Sequence, residues 1–240
     1  MRGPYVKALR LLAGRRGIGV RVGGMSIELD PTFATQGWEG FEFESYRTFA
    51  EQVGPGDVVY DVGAHIGTYS LLALDASKPD GIVVAYEPDD TAREYLRHHL
   101  TRAGLAQRAV IRDVCCGSEQ RTATFFHRAG KAEGISGLLP VEGFETKSVR
   151  VTTLDAEVSG LGLIPVIVKI DVEGAEMDVL NGAVRTLESH RPRILLSIHP
   201  EQLRKIGLDP DIVLFWLRER GYACRVLGRD HEIHVFAEPA

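Results

Sequence analysis

The 240-residue chain is poor in several things, and each shortage excludes something. It has three cysteines, Cys115, Cys116 and Cys224, and no Cys-x-x-Cys pair, which excludes a zinc knuckle. So few thiols fit a reducing compartment, and the adjacent Cys115 and Cys116 read as small buried residues rather than a bridge. No apolar run is long enough for a membrane span or a signal-peptide core, so no membrane partner is expected and the cytoplasm is the expected location. There is no surplus of positive charge. The 28 Lys and Arg against 33 Asp and Glu leave a net charge of -5, which argues against a nucleic-acid partner. Internal repeats and clear linkers are also missing. The expectation is one unit: residues 1–50 add a short amphipathic helix and a hairpin in "GVRVGGMSIELD" to a domain over 51–240.

What is present is alternation. "DVVYDV" is a continuous apolar strand, "GTYSLLALDAS" a helix, "GIVVAYEP" a strand stopped by Pro88. "DDTAREYLRHHLTRAGL" is a helix with Asp at its start and Gly104 at its end, and "RAVIRDVCC" is a third strand. Units of this kind predict an α/β fold with a mostly parallel, doubly wound sheet. "QRTATFFH" predicts a further strand, and Arg128–Ser148 a long loop. "IPVIVKIDVEGAEMDVLNGAVRTLESH" predicts a strand and a helix, and "PRILLSIHP" a strand. After a last helix, the segment through "HEIHVFAE" predicts an antiparallel C-terminal hairpin.

The turn between "DVVYDV" and the next helix carries Asp61, Gly63, Ala64 and Gly67. Backbone N–H groups at such a turn face a ligand. A dinucleotide site needs G-x-G-x-x-G, but the register from Gly63 puts His65 and Thr68 where the second and third glycines belong. An acid before the turn also repels a pyrophosphate. S-adenosylmethionine carries a sulfonium and an ammonium instead, so the same acid suits it. Glu87, at the end of the next strand, can accept hydrogen bonds from both ribose hydroxyls. Asp113, Val114 and Cys115, at the third strand's end, are the candidates for the adenine edge.

The segments "GDVVYDVGAHIGTYSL", "VVAYEPD", "CCGSEQRTATF", "VTTLD", "VKIDVEGAEMDVLNGA" and "ILLSIHP" resemble the FkbM-type methyltransferases in sequence and order. The resemblance implies a Rossmann-like class I methyltransferase fold. It also implies S-adenosyl-L-methionine as cofactor and a hydroxyl of a small molecule or sugar as acceptor. Two positions depart from the family's pattern. His65 stands where Asn is usual, and Ser197-Ile198-His199 stands where Glu-x-His is usual. An NAD-dependent oxidoreductase and a non-catalytic cofactor-binding module are the alternatives.

In "VIVKIDVEG", Ile167, Lys169 and Asp171 share one side of the strand. Asp171 falls at the carboxyl end, where doubly wound sheets bind ligands, and Lys169 beside it is a candidate for substrate contact. Glu173 and Glu176 follow at a helix start, where the dipole alone favours acids, so no metal is expected. His199 ends a later strand. If that strand neighbours Lys169–Asp171, His199 lies about 5–8 Å from Asp171. His199 is then the candidate general base for the acceptor hydroxyl, with Asp171 orienting it. Ser136, in the long loop, is the candidate for acceptor recognition. His98 and His99 are expected in solvent, His231 and His234 without a role, and His127 in reserve.

Overall fold

The computed structural model describes residues 17–33, 36–40, 42–132 and 134–240. The amphipathic helix expected at the N-terminus lies outside them. The expected early hairpin is formed by β1 (Ile18–Val22) and β2 (Met25–Leu29), paired antiparallel. Then follow α1 (Phe43–Glu51), β3 (Val58–Val62), α2 (Thr68–Ala76), β4 (Ile82–Tyr86), α3 (Asp90–Arg102) and β5 (Ala109–Arg112). The middle of the chain forms β6 (Val114–Cys116), β7 (Arg121–His127), β8 (Glu145–Thr152), α4 (Leu154–Leu161) and β9 (Ile167–Ile170). The C-terminal part forms α5 (Glu176–Asn181), α6 (Val184–His190), β10 (Arg193–Ile198), α7 (Pro200–Lys205), α8 (Asp211–Glu219), β11 (Tyr222–Arg229) and β12 (Ile233–Pro239).

The main sheet runs β11-β12-β10-β9-β3-β4-β5. The pairs from β10 through β5 are parallel, and β12 is antiparallel to both of its neighbours. Side-chain alternation splits the core into two layers. Tyr60 and Val62 of β3 join Val84 and Tyr86 of β4 on one face, while Val59, Val83 and Ala85 pack on the other. The chain winds outward from β3 through β4 to β5, then returns to lay β9 on the far side of β3. That reversal opens a crevice at the carboxyl ends of β3 and β9.

Three expectations need correction. The strand read through "RAVIRDVCC" breaks at Asp113. β5 stays in the main sheet, whereas β6 leaves it for a separate sheet of order β6-β8-β7. The helix after Asp171 is two helices, α5 and α6. At Gly182, between them, a Cβ would stand 1.9 Å from the Gly117 carbonyl oxygen, so the backbone there passes too close for any side chain. His99 is not in solvent but fully buried. Its Nε2 accepts the Asp30 N–H at 2.8 Å and its Nδ1 donates to the Ile66 carbonyl at 2.8 Å, which ties the N-terminal hairpin to the β3–α2 turn. Burial lowers its pKa to about 4, so it works as a neutral imidazole.

Candidate active site

A cavity of about 740 Å³ opens at the crevice. That is within the usual range for small-molecule sites, roughly 300–1,000 Å³. Gly63, Ala64, Glu87, Cys115, Ser136, Lys169 and Asp171 all line it, so the structure brings most of the expected site residues to one place.

The turn after β3 explains its own sequence. Gly63 has φ +76°, and a Cβ there would lie 1.8 Å from the Asp171 carbonyl oxygen; β3 and β9 approach so closely that only glycine fits. Gly67 has φ +90° and packs against Leu96 at the start of α2; it shapes the turn but does not line the cavity. His65 sits between them at φ +50°, in a left-handed conformation that Asn and His tolerate better than most residues. That accounts for His where the family pattern has Asn.

Glu87 is buried, with one carboxylate oxygen accepting the His65 N–H at 2.7 Å and the other the Asp89 N–H at 2.6 Å. Each oxygen keeps a further lone pair. Burial pushes its pKa up to about 7 against the opposing pull of these two N–H groups. Cys115, with Val114 and Cys116, lines the cavity wall beside it; burial raises its thiol to about 12, so it is neutral. Asp113 is placed elsewhere. Its side chain is 61% exposed and pairs with Arg150 at 3.0 Å, so only Val114 and Cys115 of the three adenine candidates reach the cavity.

Asp61 is also not a lining residue. It is fully buried beneath the turn, where the Ser70 hydroxyl donates to it at 2.6 Å. Its other oxygen lies 3.5 Å from the Lys169 ammonium, which donates to the Gly63 carbonyl at 2.7 Å and lies 3.5 Å from Asp171. Burial alone would lower the Lys169 pKa, but Asp171 and Asp61 outweigh it and raise it. Reciprocally, burial would raise the Asp171 carboxyl, and Lys169 and His199 hold it below its ordinary value. Asp61 thus positions Lys169, and Lys169 clamps the turn to β9.

His199 does not sit as a general base would. β10 does neighbour β9, and His199 Nε2 lies 3.6 Å from Asp171, closer than expected. Yet the ring is 1% exposed and carboxylates surround it. Nδ1 lies 2.6 Å from Glu176, and Nε2 lies 3.5 Å from Glu173 and 3.4 Å from Glu232. Burial would depress its pKa, but these acids raise it far above the ordinary range. The ring does not line the cavity, so no acceptor hydroxyl meets it directly. Glu176 is correspondingly not a solvated helix-start acid, being fully buried against His199. His127 stays off the cavity, 3.5 Å from Asp89. Ser197, the other departure, is buried with its hydroxyl 3.3 Å from His234 Nδ1, so β12 supplies the polar partner at that position.

Several lining residues carried no readable signal. Trp38, Glu42 and Tyr46 come from the N-terminal part, and His231 and Glu232 from the β11–β12 turn. Glu42 accepts the Tyr69 hydroxyl at 3.0 Å, and burial, then the nearby Asp171, push its pKa up to about 7. The segment from Arg128 crosses back over the site rather than running free. Phe126 and Gly137 exchange backbone hydrogen bonds of 2.8 and 3.0 Å, which brings Ile135, Ser136 and Leu138 to the cavity.

These features define a class. The sheet reverses at β3, and a glycine turn, the strand-end carboxylate of Glu87 and the acids Asp171 and Glu173 line the crevice. This is the architecture of a Rossmann-like methyltransferase. Comparison with known proteins carries this further: residues 61–224 match the methyltransferase FkbM domain, and the chain belongs to that family. Membership makes it a methyltransferase. The chain is 26% identical over 205 residues to hexuronic acid methyltransferase AglP of Haloferax volcanii, covering 81% of this chain and 76% of that protein. It is 32% identical over 179 residues to 31-O-demethyl-FK506 methyltransferase FkbM of Streptomyces tacrolimicus, covering 60% of this chain and 66% of that one. The crystal structure of methyltransferase FkbM from Methylobacillus flagellatus KT shares the fold, with a TM-score of 0.53 at 15% identity, covering 87% of this chain and 65% of that chain. The chain thus spans just under two thirds of the length of these last two. No helix among the described residues is long and apolar enough to cross a membrane.

Proposed function

We propose that the protein transfers the methyl group of S-adenosylmethionine to a hydroxyl of a small polyhydroxylated molecule or sugar. The observation that carries this reading is the polarity of the cavity. Glu87, Asp171, Glu173, Glu42 and Glu232 all line it, with the buried Lys169 beside Asp171. Carboxylates of this kind accept hydrogen bonds from hydroxyl groups and repel phosphate-bearing or anionic acceptors. The name of one relative, acting on an O-demethylated natural product, supports an oxygen acceptor; the other's hexuronic acid supports a sugar framework, though an anionic one.

The donor supplies an electrophilic methyl on a sulfonium. The chain's own residues hold and orient. Glu87 would take the ribose hydroxyls, Val114 and Cys115 would flank the adenine, and the Gly63–Ala64 turn would meet the methionine end with Lys169 and Asp171 beneath it. Asp171 faces the acceptor, receives its hydroxyl hydrogen bond and would take the proton as the oxygen–methyl bond forms and the sulfonium–methyl bond breaks, leaving S-adenosylhomocysteine. His199 acts behind it, positioning Asp171 rather than serving as the base. Ser136 and its loop would read the rest of the acceptor. The reaction needs an in-line approach of oxygen to methyl, so placement supplies much of the rate.

The test is transfer of a labelled methyl group to a panel of neutral sugars, glycosides and polyol natural products, with amines, carboxylic acids and RNA alongside. A methyl ether on a neutral hydroxyl compound is the expected product. Labelling confined to amines, acids or RNA would overturn the proposal.

A further inference from the structure

The acids around His199 form more than a shell of counter-charges. His199 Nε2 is buried and has no hydrogen-bond partner, although three carboxylate oxygens surround it. Glu232 Oε1 lies at 3.4 Å, Glu173 Oε1 at 3.5 Å and Asp171 Oδ1 at 3.6 Å, all longer than an N–H···O bond to a carboxylate. Ligand atoms about 2.1 Å from a common ion at tetrahedral angles stand about 3.4 Å apart, which is the spacing seen. Metal-ligand atoms of Asp171, His199 and Glu232 lie within 4.8 Å of one another. Glu232 Oε2 is another buried polar atom without a hydrogen bond.

The far side of the imidazole fits the same reading. Nδ1 meets Glu176 at 2.6 Å, and Glu176 is itself fixed by the Gly174 N–H at 3.0 Å. A carboxylate that holds one ring nitrogen while the other faces a cluster of oxygens is the outer-shell arrangement of a metal-bound histidine. Charge points the same way. Four acids, Asp171, Glu173, Glu176 and Glu232, gather here, and besides His199 the basic groups beside them are Lys169, 3.5 Å from Asp171, and His231, 3.0 Å from Glu232.

We propose that Asp171, His199 and Glu232 bind a divalent transition-metal ion of the Zn²⁺ or Mn²⁺ class, with Glu176 orienting the histidine. A buried imidazole among the ligands favours these ions over Mg²⁺ and Ca²⁺, which take oxygen donors. Asp171 and Glu232 line the cavity, so the ion's open position faces the acceptor. This role rests on the methyl-transfer reading; the binding itself does not. There the ion would polarise an acceptor hydroxyl, supplying the activation that His199 does not.

The purified protein, stripped with a chelator and checked for secondary structure, is titrated calorimetrically with Zn²⁺ and with Mn²⁺. One ion per chain is expected. Glu232→Gln, at a hairpin turn, and His199→Gln should each weaken binding about 100-fold or more, and Glu176→Gln about 10–100-fold. In the wild type, Co²⁺ should give the intense visible absorption of a four- or five-coordinate ion, and that absorption should be lost in folded Glu232→Gln. No stoichiometric binding to the wild type, or unchanged affinity in folded Glu232→Gln and His199→Gln, would overturn the site. A parallel titration with S-adenosylhomocysteine separates the two readings. Normal nucleoside binding without metal binding sinks only the ion, and metal binding without nucleoside binding sinks the methyl-transfer reading.

Discussion

Replacing Glu87 by Gln keeps the side chain's shape and changes its chemistry. The carboxylate accepts two backbone N–H groups, at 2.7 and 2.6 Å, and each oxygen keeps a lone pair for a ribose hydroxyl. A glutamine presents one oxygen and one NH₂. Whichever way it turns, the NH₂ faces either the His65 or the Asp89 N–H and leaves that buried donor unsatisfied. The loss of a charged acceptor and the orphaned donor together cost about 2–4 kcal/mol of nucleoside binding, or roughly 30- to 1,000-fold in Kd. Because burial pushes the Glu87 pKa up to about 7, the effect is also written in pH. The ionised form binds, so wild-type affinity for S-adenosylhomocysteine should fall as pH drops from 8 to 6, by about tenfold. For the empty protein the sign is opposite. An acid raised above its ordinary 4.5 contributes stability that is present below about pH 4.5 and lost as pH rises through about 7. Calorimetric titrations of wild type and Glu87→Gln at pH 6, 7 and 8 read the binding effect, and the variant should be flat across the range. A variant within twofold of wild type, or a wild-type Kd that does not move with pH, would refute the ribose assignment and the titration argument together.

Three further outcomes are expected. Gly63→Ala should cost far more than Gly56→Ala: both glycines are left-handed, at about 1–2 kcal/mol each, but a Cβ at Gly56 meets open space and one at Gly63 meets the Asp171 carbonyl at 1.8 Å. Equal losses in thermal stability and cofactor affinity would contradict the close approach of β3 and β9. Lys169→Met should destabilise the fold by about 3–5 kcal/mol in chemical denaturation, since it leaves Asp61 and Asp171 without their shared cation. A loss below about 1 kcal/mol would dissolve the clamp. Ser136→Ala should raise KM for the acceptor several-fold and leave the Kd of S-adenosylhomocysteine unchanged. The reverse pattern would move the loop to the cofactor's side of the cavity.

The fold was legible in the sequence wherever hydrophobic period and glycine agreed. β3, β4, β9 and β10 are short apolar runs bounded by turn residues, and the reversal at β3 follows from chain order. The break at Asp113 was not legible, because "RAVIRDVCC" is uniformly apolar enough for one strand. Only the pairing of Val114–Cys116 with Arg150–Thr152 draws it into a second sheet. The end of the cavity at the glycine turn was legible for a related reason: Gly63 and Glu87 belong to consecutive strand ends, so local pattern places them side by side. The rest of the lining is assembled from Trp38, Glu42, Ser136, Asp171 and Glu232, which are remote in sequence. No period in the chain links Glu176 or Glu232 to His199. The surroundings of His199 were therefore not legible, since only the tertiary fold gathers these acids around it.

The segment that carries Ser136 hangs from the ends of β7 and β8, where His127 pairs directly with Glu145. Its two stems are therefore held at the distance of a strand pair, whatever lies between them. The entropic cost of closing such a loop grows only with the logarithm of its length. Residues can be inserted or removed at the tip without shifting β3, β4 or β9. The small sheet thus works as a socket: one lineage could exchange the whole tip for another and change the accepted molecule, while the nucleoside half of the crevice is inherited unaltered.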